Sequence, residues 1–361
     1  MITGSMRIGF YIFCKFHRPI LQPIFDLLKD ELPCFSTGDV NKVVARKPDI
    51  IVCADFPEKI FRSKLPETII VWTRHGFSCK NYLQNLLAIS DYVCVTSEWV
   101  RDDCLRRGWR PRLGFWATGY PPMDKLLRHE PPAGAILPAH FLPGDPIALY
   151  APTFTPNLNA QEVLGNHWFA SVRQDFPRLN IIIKPHPHTP KIFPEWMVEW
   201  KQVAHADRRV HLVEDCNEDI MEYLPLADIL ISDVSSVMFF YLALDRPIIL
   251  VTNPARHKNP ERYAPDAWEW TWRDMGIEVE NEEQLLHAIR MSLQNPKQHS
   301  ERRAFYRERV FGNNIDGNAA ANVANKVRAL AQPGPADQEW VNAAWEKIRG
   351  SHASKTVSNR T

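Results

Sequence analysis

The chain has 361 residues, of which 45% are hydrophobic, and a formal net charge of +1. This length and composition predict a globular protein of one large or two ordinary domains. The near-zero charge argues against a protein built mainly to bind nucleic acid, and no window is apolar over the roughly 18 residues that a transmembrane helix needs.

The seven cysteines form no CxxC pair and mostly lie in apolar patterns. This usage predicts reduced, buried thiols rather than disulfides or a zinc site. The N-terminus lacks the pattern of a signal peptide. We therefore expect a cytoplasmic protein, with peripheral contact at the inner face of the plasma membrane left open.

Short apolar runs alternate with helix-like segments in the first half of the chain, a pattern typical of a parallel sheet with crossover helices. The predicted strands there lie within 7–13, 49–55, 68–76 and 91–97. The segment 128–146 then interrupts the rhythm with five prolines and two glycines, which indicates a linker.

The alternation resumes after the linker, with predicted strands within 147–153, 179–188, 209–215, 227–233 and 246–253. The pattern predicts an α/β protein of two doubly wound, Rossmann-like domains facing across a cleft. We expect domains at 1–130 and 147–312, a linker at 131–146, a helix at 313–331 and a tail at 332–361.

Ligands of doubly wound sheets bind beyond the carboxyl ends of the strands, so polar residues there are candidate site residues. In the first half these are Arg74, His75, Gly76, Thr96 and Ser97; in the second they are Thr153, Lys184, His186, His188, Asp215, Asp233, Ser235 and Ser236.

The stretch "DILISDVSSVMFFYLAL" (228–244) reads as a buried strand, a polar turn and a helix. Ser235 or Ser236 could cap that helix, whose first N–H groups lack partners. Two hydroxyls at a helix N-terminus also suit a phosphate or pyrophosphate. An ordinary serine cap and an anion site are both compatible with the stretch taken alone.

In "IIIKPHPHTP" (181–190), Pro185 and Pro187 hold the chain extended, so that Lys184, His186 and His188 leave the strand in a stiff loop. The alternatives are a binding loop and a solvated polar loop. A metal site is disfavoured, because no third ligand accompanies the histidines at a typical spacing.

His75 precedes Gly76, where we expect a sharp turn at the end of a strand. An imidazole in that position could act as a general base, since it titrates near neutrality. The alternative is a histidine satisfied by backbone groups.

Seven short motifs occur in one order over residues 70–330, and in that order they resemble the CDP-glycerol glycerophosphotransferase family, whose best-known members polymerise teichoic acids. They are "WTRHGFSCK", "SDYVCVTSEW", "TGYPPMDKL", "LYAPTF", "IIIKPHPH", "LADILISDVSSVMFFYLALDRPIIL" and "NIDGNAAANVANKV".

The resemblance implies a glycosyltransferase-B-like fold with an N-terminal acceptor domain and a C-terminal domain that binds a CDP-linked donor. It implies transfer of glycerol phosphate or a related polyol phosphate to a hydroxyl of a surface-polysaccharide or lipid-linked acceptor, with release of CMP. No metal and no cofactor besides the CDP-activated substrate is implied.

Carried over by motif, His75 resembles the family's candidate base, while His186, Ser235 and Ser236 resemble its donor-phosphate contacts. Thr153, Lys184, His188 and Asp233 join the expected donor site, and Arg74, Gly76 and Ser97 the acceptor side. We also expect that a protonated His186 could steady the pyrophosphate.

The chain departs from the family pattern at Pro122, Met123, Thr155, Val234 and Phe240, where the family commonly has an Arg-Asn pair, Arg, Tyr and Asp. These departures leave the donor open among CDP-glycerol, CDP-ribitol, another CDP-polyol and a nucleotide sugar. A nucleotide-sugar glycosyltransferase or epimerase, and a noncatalytic binding protein, stay as alternatives.

Two aromatic segments complete the sequence. Trp268, Trp270 and Trp272 have strand-like spacing and suggest a packed cover, or else the floor of a ligand site. The tail carries a short helix with Trp340, Ala344, Trp345 and Ile348 on one side. A packing helix is the preferred interpretation, and a membrane contact is the alternative.

Overall fold

Two parallel sheets of six strands each organise the part of the chain that the computed structural model describes, residues 6–55, 58–77, 83–132 and 137–358. The first sheet consists of β1 (Ile8–Tyr11), β2 (Cys34–Thr37), β3 (Ile50–Cys53), β4 (Ile69–Trp72), β5 (Tyr92–Val95) and β6 (Gly114–Ala117). The second consists of β7 (Ile147–Tyr150), β8 (Asn180–Ile183), β9 (Val210–Leu212), β10 (Ile229–Ser232), β11 (Ile248–Val251) and β12 (Ile277–Val279).

Helices connect the successive strands, as is usual for parallel pairing, except that two short 3₁₀ turns (Ile220–Glu222 and Leu224–Leu226) lie between β9 and β10. The α-helices up to Leu127 are α1 (Arg18–Asp26), α2 (Val40–Arg46), α3 (Glu58–Lys64), α4 (Leu83–Leu87), α5 (Glu98–Arg106) and α6 (Asp124–Leu127). The others are α7 (Gln161–Leu164), α8 (Trp168–Asp175), α9 (Thr189–Ile192), α10 (Pro194–Ala206), α11 (Val237–Tyr241), α12 (Trp268–Thr271), α13 (Glu282–Gln294), α14 (Ser300–Phe311), α15 (Ala319–Ala331) and α16 (Gln338–Ser358).

The described residues divide into two compact units, each built on one sheet. The first unit holds the residues up to His75, Leu83–Arg128 and those from Arg309 onward. The second holds Gly76, Phe77 and His129–Glu308. The chain therefore passes from one unit to the other between His75 and Gly76, at the end of β4.

Both sheets are doubly wound. The strand order is β2-β1-β3-β4-β5-β6 in the first unit and β12-β11-β10-β7-β8-β9 in the second. The winding reverses between β1 and β3 in the first sheet and between β7 and β10 in the second. At such a reversal the two connecting segments diverge and leave a crevice beyond the strand ends, which is where ligands bind in open α/β sheets.

The central strands are continuous apolar runs because helices cover both faces of each sheet. Every residue of β3, β4, β8 and β10 is buried. This burial explains why these strands were predictable as unbroken runs rather than as alternating patterns, and it confirms the predicted α/β class with two Rossmann-like units.

Three strands were missed by the sequence analysis, and all three lie at sheet edges: β2, β6 and β12. Their burial patterns are mixed, because an edge strand has a neighbour on one side alone. The apolar runs that identify central strands are therefore absent from them.

The two C-terminal helices pack on the first unit. Asp124 accepts hydrogen bonds from the backbone N–H groups of Ala319 (2.8 Å) and Ala320 (2.9 Å), which caps the first turn of α15. In α16, Ala344, Trp345 and Ile348 are buried. This burial matches the packing interpretation of the tail, although the helix is longer than expected.

The tryptophan segment is helical rather than strand-like, so the predicted strand spacing is wrong. Trp268 begins α12 and stacks on Trp272 with 5.6 Å between ring centroids, while Trp272 stacks on Tyr306 at 4.7 Å. Trp268 and Trp272 are both buried. The rings form a packed cover inside the second unit, as the preferred interpretation held.

No disulfide joins cysteines within the described part of the chain, where four cysteines are buried and two are half-buried. This agrees with the expectation of reduced thiols; Cys79 lies outside the described residues. Among the described residues, no helix is long and apolar enough to cross a membrane.

Candidate active site

His75 stands at the carboxyl end of β4, and the backbone turns at the residue before it. Arg74 is buried and has a φ of 64°, in the left-handed region that non-glycine residues rarely occupy. The sharp turn expected at Gly76 is therefore located at Arg74 instead. Such a strained residue next to a polar side chain is common at functional sites.

The imidazole of His75 is oriented by two acceptors at Nδ1. The carbonyl oxygen of Ala54 lies 3.3 Å from Nδ1, and Oδ1 of Asp55 lies 3.5 Å from it. Because both groups accept only, Nδ1 carries the proton and the basic lone pair is on Nε2. This tautomer is the one that a general base needs if Nε2 faces the substrate.

Burial lowers the pKa of His75, and the nearby charge of Asp55 opposes that shift. The charges of His17 and Arg74 also lower the pKa of His75. The side chain still keeps 34% of its surface exposed. The ring is therefore neutral at neutral pH and open enough to meet a substrate hydroxyl.

Asp55 and His17 complete this cluster, and the sequence analysis singled out neither residue. Asp55 is buried at the end of β3, and its Oδ2 lies 3.8 Å from Nε2 of His17, which follows β1. The predicted strand within 49–55 ended on Asp55, so the strand-end rule could have found it. No feature of the sequence marked His17 as a candidate site residue.

Ser97 is occupied as a helix cap. Its hydroxyl accepts a hydrogen bond from the N–H of Val100 at 3.2 Å, at the start of α5, and donates to the carbonyl oxygen of Arg309. The side chain is fully buried within the first unit. Its geometry gives no support to the predicted acceptor-side role, which stays a prediction.

Asp233 joins two strand ends at the reversal point of the second sheet. Its fully buried carboxylate accepts hydrogen bonds from the N–H groups of Thr153 (2.9 Å) after β7, Ala160 (2.8 Å), Val234 (2.6 Å) and Ser235 (3.1 Å). Burial raises the pKa of Asp233 to about 6, against the lowering by those N–H groups. Through these hydrogen bonds, Asp233 joins the loop that follows β7 to the turn that carries Ser235 and Ser236.

The two serines do not cap α11, so the capping interpretation is wrong. Ser236 occupies the N-cap position without a capping side-chain hydrogen bond, and Asp233 takes the N–H groups of Val234 and Ser235. Both serines are half-buried. Their hydroxyls are thereby available for other partners at the start of the helix.

One such partner is the segment that follows His75. Oγ of Ser236 accepts a hydrogen bond from the N–H of Phe77 at 3.1 Å, and a Cβ on Gly76 would lie 3.1 Å from the same oxygen. A Cβ at position 76 would therefore crowd the Ser236 hydroxyl, which would have to shift by a few tenths of an ångström to accommodate it. Residues 78–80 of the same motif lie outside the described residues.

Lys184 is buried beyond β8 and faces backbone oxygens. Its Nζ donates to the carbonyl groups of Cys216 (2.9 Å) and Pro185 (3.2 Å). Burial lowers the pKa of Lys184 to about 8. The ammonium group thus links the loops that follow β8 and β9. Direct contact between Lys184 and the CDP-linked donor stays a prediction.

His186 accepts a hydrogen bond within its own loop. Its Nδ1 accepts a hydrogen bond from the backbone N–H of His188 at 3.1 Å. A nitrogen that accepts carries no proton, so the ring is neutral with its proton on Nε2. In this arrangement the ring can donate one hydrogen bond through Nε2, and a protonated His186 beside a bound pyrophosphate stays a prediction.

The ring of Phe154, next to Thr153, lies close to two imidazole rings and one guanidinium group at this end of the sheet. The centroid of its ring lies 4.3 Å from that of His186, 5.0 Å from that of His188 and 5.9 Å from the guanidinium carbon of Arg262. Neither Phe154 nor Arg262 was predicted as a site residue. Arg262 comes from a segment about a hundred residues later in the chain, which local sequence does not connect with β7.

The predicted site residues thus follow the carboxyl ends of strands in the two sheets. A sequence model of the CDP-glycerol:poly(glycerophosphate) glycerophosphotransferase family matches residues 51–329 of this chain. The chain belongs to this family. It is accordingly a glycerophosphotransferase-type enzyme, and the matched region contains every candidate site residue named above except His17.

Solved structures of low sequence identity share this fold. The chain is similar to the wall teichoic acid polymerase TagF, with a TM-score of 0.63 and 15% identity over 91% of this chain and 89% of that one. It is similar to MnaA of S. aureus in a structure with UDP, with a TM-score of 0.58 and 13% identity over 91% of this chain and 98% of that one. It is also similar to a UDP-N-acetylglucosamine 2-epimerase, with a TM-score of 0.53 and 13% identity over 91% of this chain and 96% of that one. No curated protein sequence matches the chain.

These likenesses confirm the glycosyltransferase-B-like fold that the resemblance implied. The neighbours include both a polymerase and epimerases, so the fold alone does not distinguish polyol-phosphate transfer from sugar-nucleotide chemistry. The family match makes that distinction.

Proposed function

We propose that this protein transfers glycerol phosphate from CDP-glycerol to a hydroxyl of a surface-polysaccharide or lipid-linked acceptor and releases CMP, with no cofactor besides its substrates. The observation that carries the proposal is the pair of acceptors at Nδ1 of His75, which leaves Nε2 as the basic nitrogen. A neutral imidazole so oriented is suited to accept the proton of a hydroxyl.

In the proposed step, the acceptor oxygen attacks the β-phosphorus of CDP-glycerol while its proton passes to Nε2 of His75. A bond forms between that oxygen and phosphorus, and the bond from phosphorus to the bridging oxygen breaks. The electron pair leaves with CMP. Charge accumulates on phosphate oxygens in this step, so positioned hydrogen-bond donors supply most of the stabilisation.

The second unit offers such donors at the end of its sheet. Ser235 and Ser236 present hydroxyls at the start of α11, and His186 presents Nε2–H in its neutral form. We assign the pyrophosphate of the donor to this group of residues, with Asp233 as the internal anchor of the turn.

The acceptor class follows from the family. The family match and the likeness to the wall teichoic acid polymerase TagF support a role in a teichoic-acid-like or capsular surface polymer. We place the enzyme in the cytoplasm, at the inner face of the plasma membrane when its acceptor is lipid-linked.

The test measures CMP release from CDP-glycerol and CDP-ribitol, and nucleoside diphosphate release or epimerisation with UDP-sugars, each with a panel of polyol and saccharide acceptors. Thermal stabilisation by each donor is measured in parallel, since a ligand of the native state raises its apparent stability. CMP release confined to CDP-polyols supports the proposal. Turnover of UDP-sugars alone, or stabilisation without turnover of any donor, contradicts it.

A further inference from the structure

We propose that Asp55 is the positioning residue of His75: it holds the proton of that ring on Nδ1 and stabilises the imidazolium when Nε2 takes up the acceptor proton. The inference rests on the proposed role of His75 as general base. It adds a residue that the sequence motifs do not point to.

The first argument is where three side chains meet. His17 follows β1, Asp55 follows β3 and His75 follows β4, and these are three adjacent strands at the reversal point of the first sheet. Each reaches the same place because parallel strands end on one edge. The carboxylate lies between the two imidazoles, with Oδ1 3.5 Å from Nδ1 of His75 and Oδ2 3.8 Å from Nε2 of His17.

The second argument concerns charge. The carbonyl of Ala54 shares Nδ1 with Asp55, but it also accepts from Nε1 of Trp72 at 3.0 Å and carries no charge. When Nε2 gains a proton, the ring becomes a cation inside a largely desolvated site. The charges of Arg74 and His17 both disfavour a cation at this position. Asp55 favours it through its negative charge, and the hydrogen bond to the Ala54 carbonyl acts in the same direction with a smaller effect.

His17 has a different part in the cluster. Its side chain is fully buried, so it does not reach a substrate, and neither ring nitrogen has a hydrogen-bond partner in the described part of the chain. It lies against Oδ2 and leaves Oδ1 facing His75.

The first experiment is independent of activity. Ring resonances of His75, assigned by their loss in His75→Asn, are titrated by NMR in the wild type, in Asp55→Asn and in Asp49→Asn. Asp49 precedes β3 at its opposite end, where its carboxylate accepts from the N–H of Arg7, and it serves as the matched control. We expect the pKa of His75 to fall in Asp55→Asn and the Nδ1–H tautomer to become mixed, with no change in Asp49→Asn.

The second experiment is kinetic. We expect Asp55→Asn to lower kcat about 100-fold while the KM for CDP-glycerol changes by less than about twofold, since general-base catalysis contributes roughly 100- to 10,000-fold. The acid limb of the pH profile should move to lower pH. The double variant Asp55→Asn/His75→Asn should be no slower than His75→Asn, because residues that act as one unit are not additive.

Two outcomes overturn the inference: an unchanged titration and tautomer of His75 in Asp55→Asn, or a double variant that loses the product of both single effects. If Asp55→Asn does not fold, as circular dichroism would reveal, Asp55→Ser replaces it with the same expectations. A wild type that turns over no CDP-polyol, together with a shifted titration, contradicts the proposed function and leaves the Asp55–His75 relationship intact.

Discussion

The N–H of Phe77 donates a hydrogen bond to Oγ of Ser236 at 3.1 Å, although 159 residues separate them in the chain. The ring of Phe77 stacks on Trp268 with 5.0 Å between centroids and meets Phe239 of α11 edge-on at 4.9 Å. The segment after the proposed base is therefore held against the helix whose start is assigned to the donor.

Removal of the Ser236 hydroxyl tests this assignment. We expect Ser236→Ala to lower kcat/KM for CDP-glycerol at least tenfold, since a hydrogen bond to a charged group contributes about 1.5–3 kcal/mol. Gly76→Ala should have a smaller effect of the same kind, because its Cβ would lie 3.1 Å from that oxygen and displace it. Steady-state kinetics measure both, with the exposed Ser63→Ala as control; equal kinetics in all three would contradict the donor assignment.

Replacement of His75 tests the general base. We expect His75→Asn to reduce kcat about 100- to 10,000-fold, with calorimetric affinity for CDP-glycerol unchanged. Because the pKa of His75 lies below its ordinary 6.5, the neutral base persists to lower pH, and the acid limb of kcat/KM for the acceptor should fall below 6.5 in the wild type. Wild-type turnover in the variant would remove His75 from the chemistry.

Lys184 should make stability depend on alkaline pH. Its pKa is about 8 in the folded protein against an ordinary 10.5, so between these values the unfolded chain binds a proton that the folded one has released. The free energy of unfolding therefore rises with pH across this window, by roughly 3 kcal/mol at about 1.4 kcal/mol per pKa unit.

Urea unfolding of the wild type and of Lys184→Met between pH 7.5 and 10 measures this contribution as a difference. The rise should be missing in Lys184→Met and present in Lys201→Met, whose lysine is half-exposed and pairs with Glu214 at 2.7 Å. Parallel curves for the wild type and Lys184→Met would show that burial does not shift this lysine.

Phe154 should act on donor binding through His186. We expect Phe154→Leu to raise the KM for CDP-glycerol about five- to tenfold, because contacts between aromatic rings are worth about 0.5–1.5 kcal/mol and His186 loses the ring that orients it. Phe305→Leu, at a position where 39% of the residue is exposed, is the control. A change in kcat without a change in KM would argue against a role in donor binding.

Ile348 distinguishes the two interpretations of α16. Its side chain is fully buried, so Ile348→Ala should lower the free energy of unfolding by about 2–5 kcal/mol. Ile192→Ala, at a residue that is 43% exposed, should cost far less. Chemical denaturation measures both; unchanged stability of Ile348→Ala combined with loss of vesicle binding would favour a membrane contact.

Much of the fold was readable from local sequence. Central strands such as β3 and β10 are buried on both faces, so they are unbroken apolar runs, and Lys184, His186 and Asp233 follow strands wherever those strands lie in the sheet. The order of short motifs then indicated the family without any knowledge of strand order.

The sequence by itself determined which residues stand at strand ends, because strand periodicity and buried apolar runs are local properties. The tertiary structure alone decided which strand ends are neighbours: β1 beside β3, and β7 beside β10. That order brings His17 and Asp55 to His75, and it lets Asp233 rather than a serine take the N–H groups of the turn. Such pairings depend on the packing of whole sheets, and no local pattern encodes them.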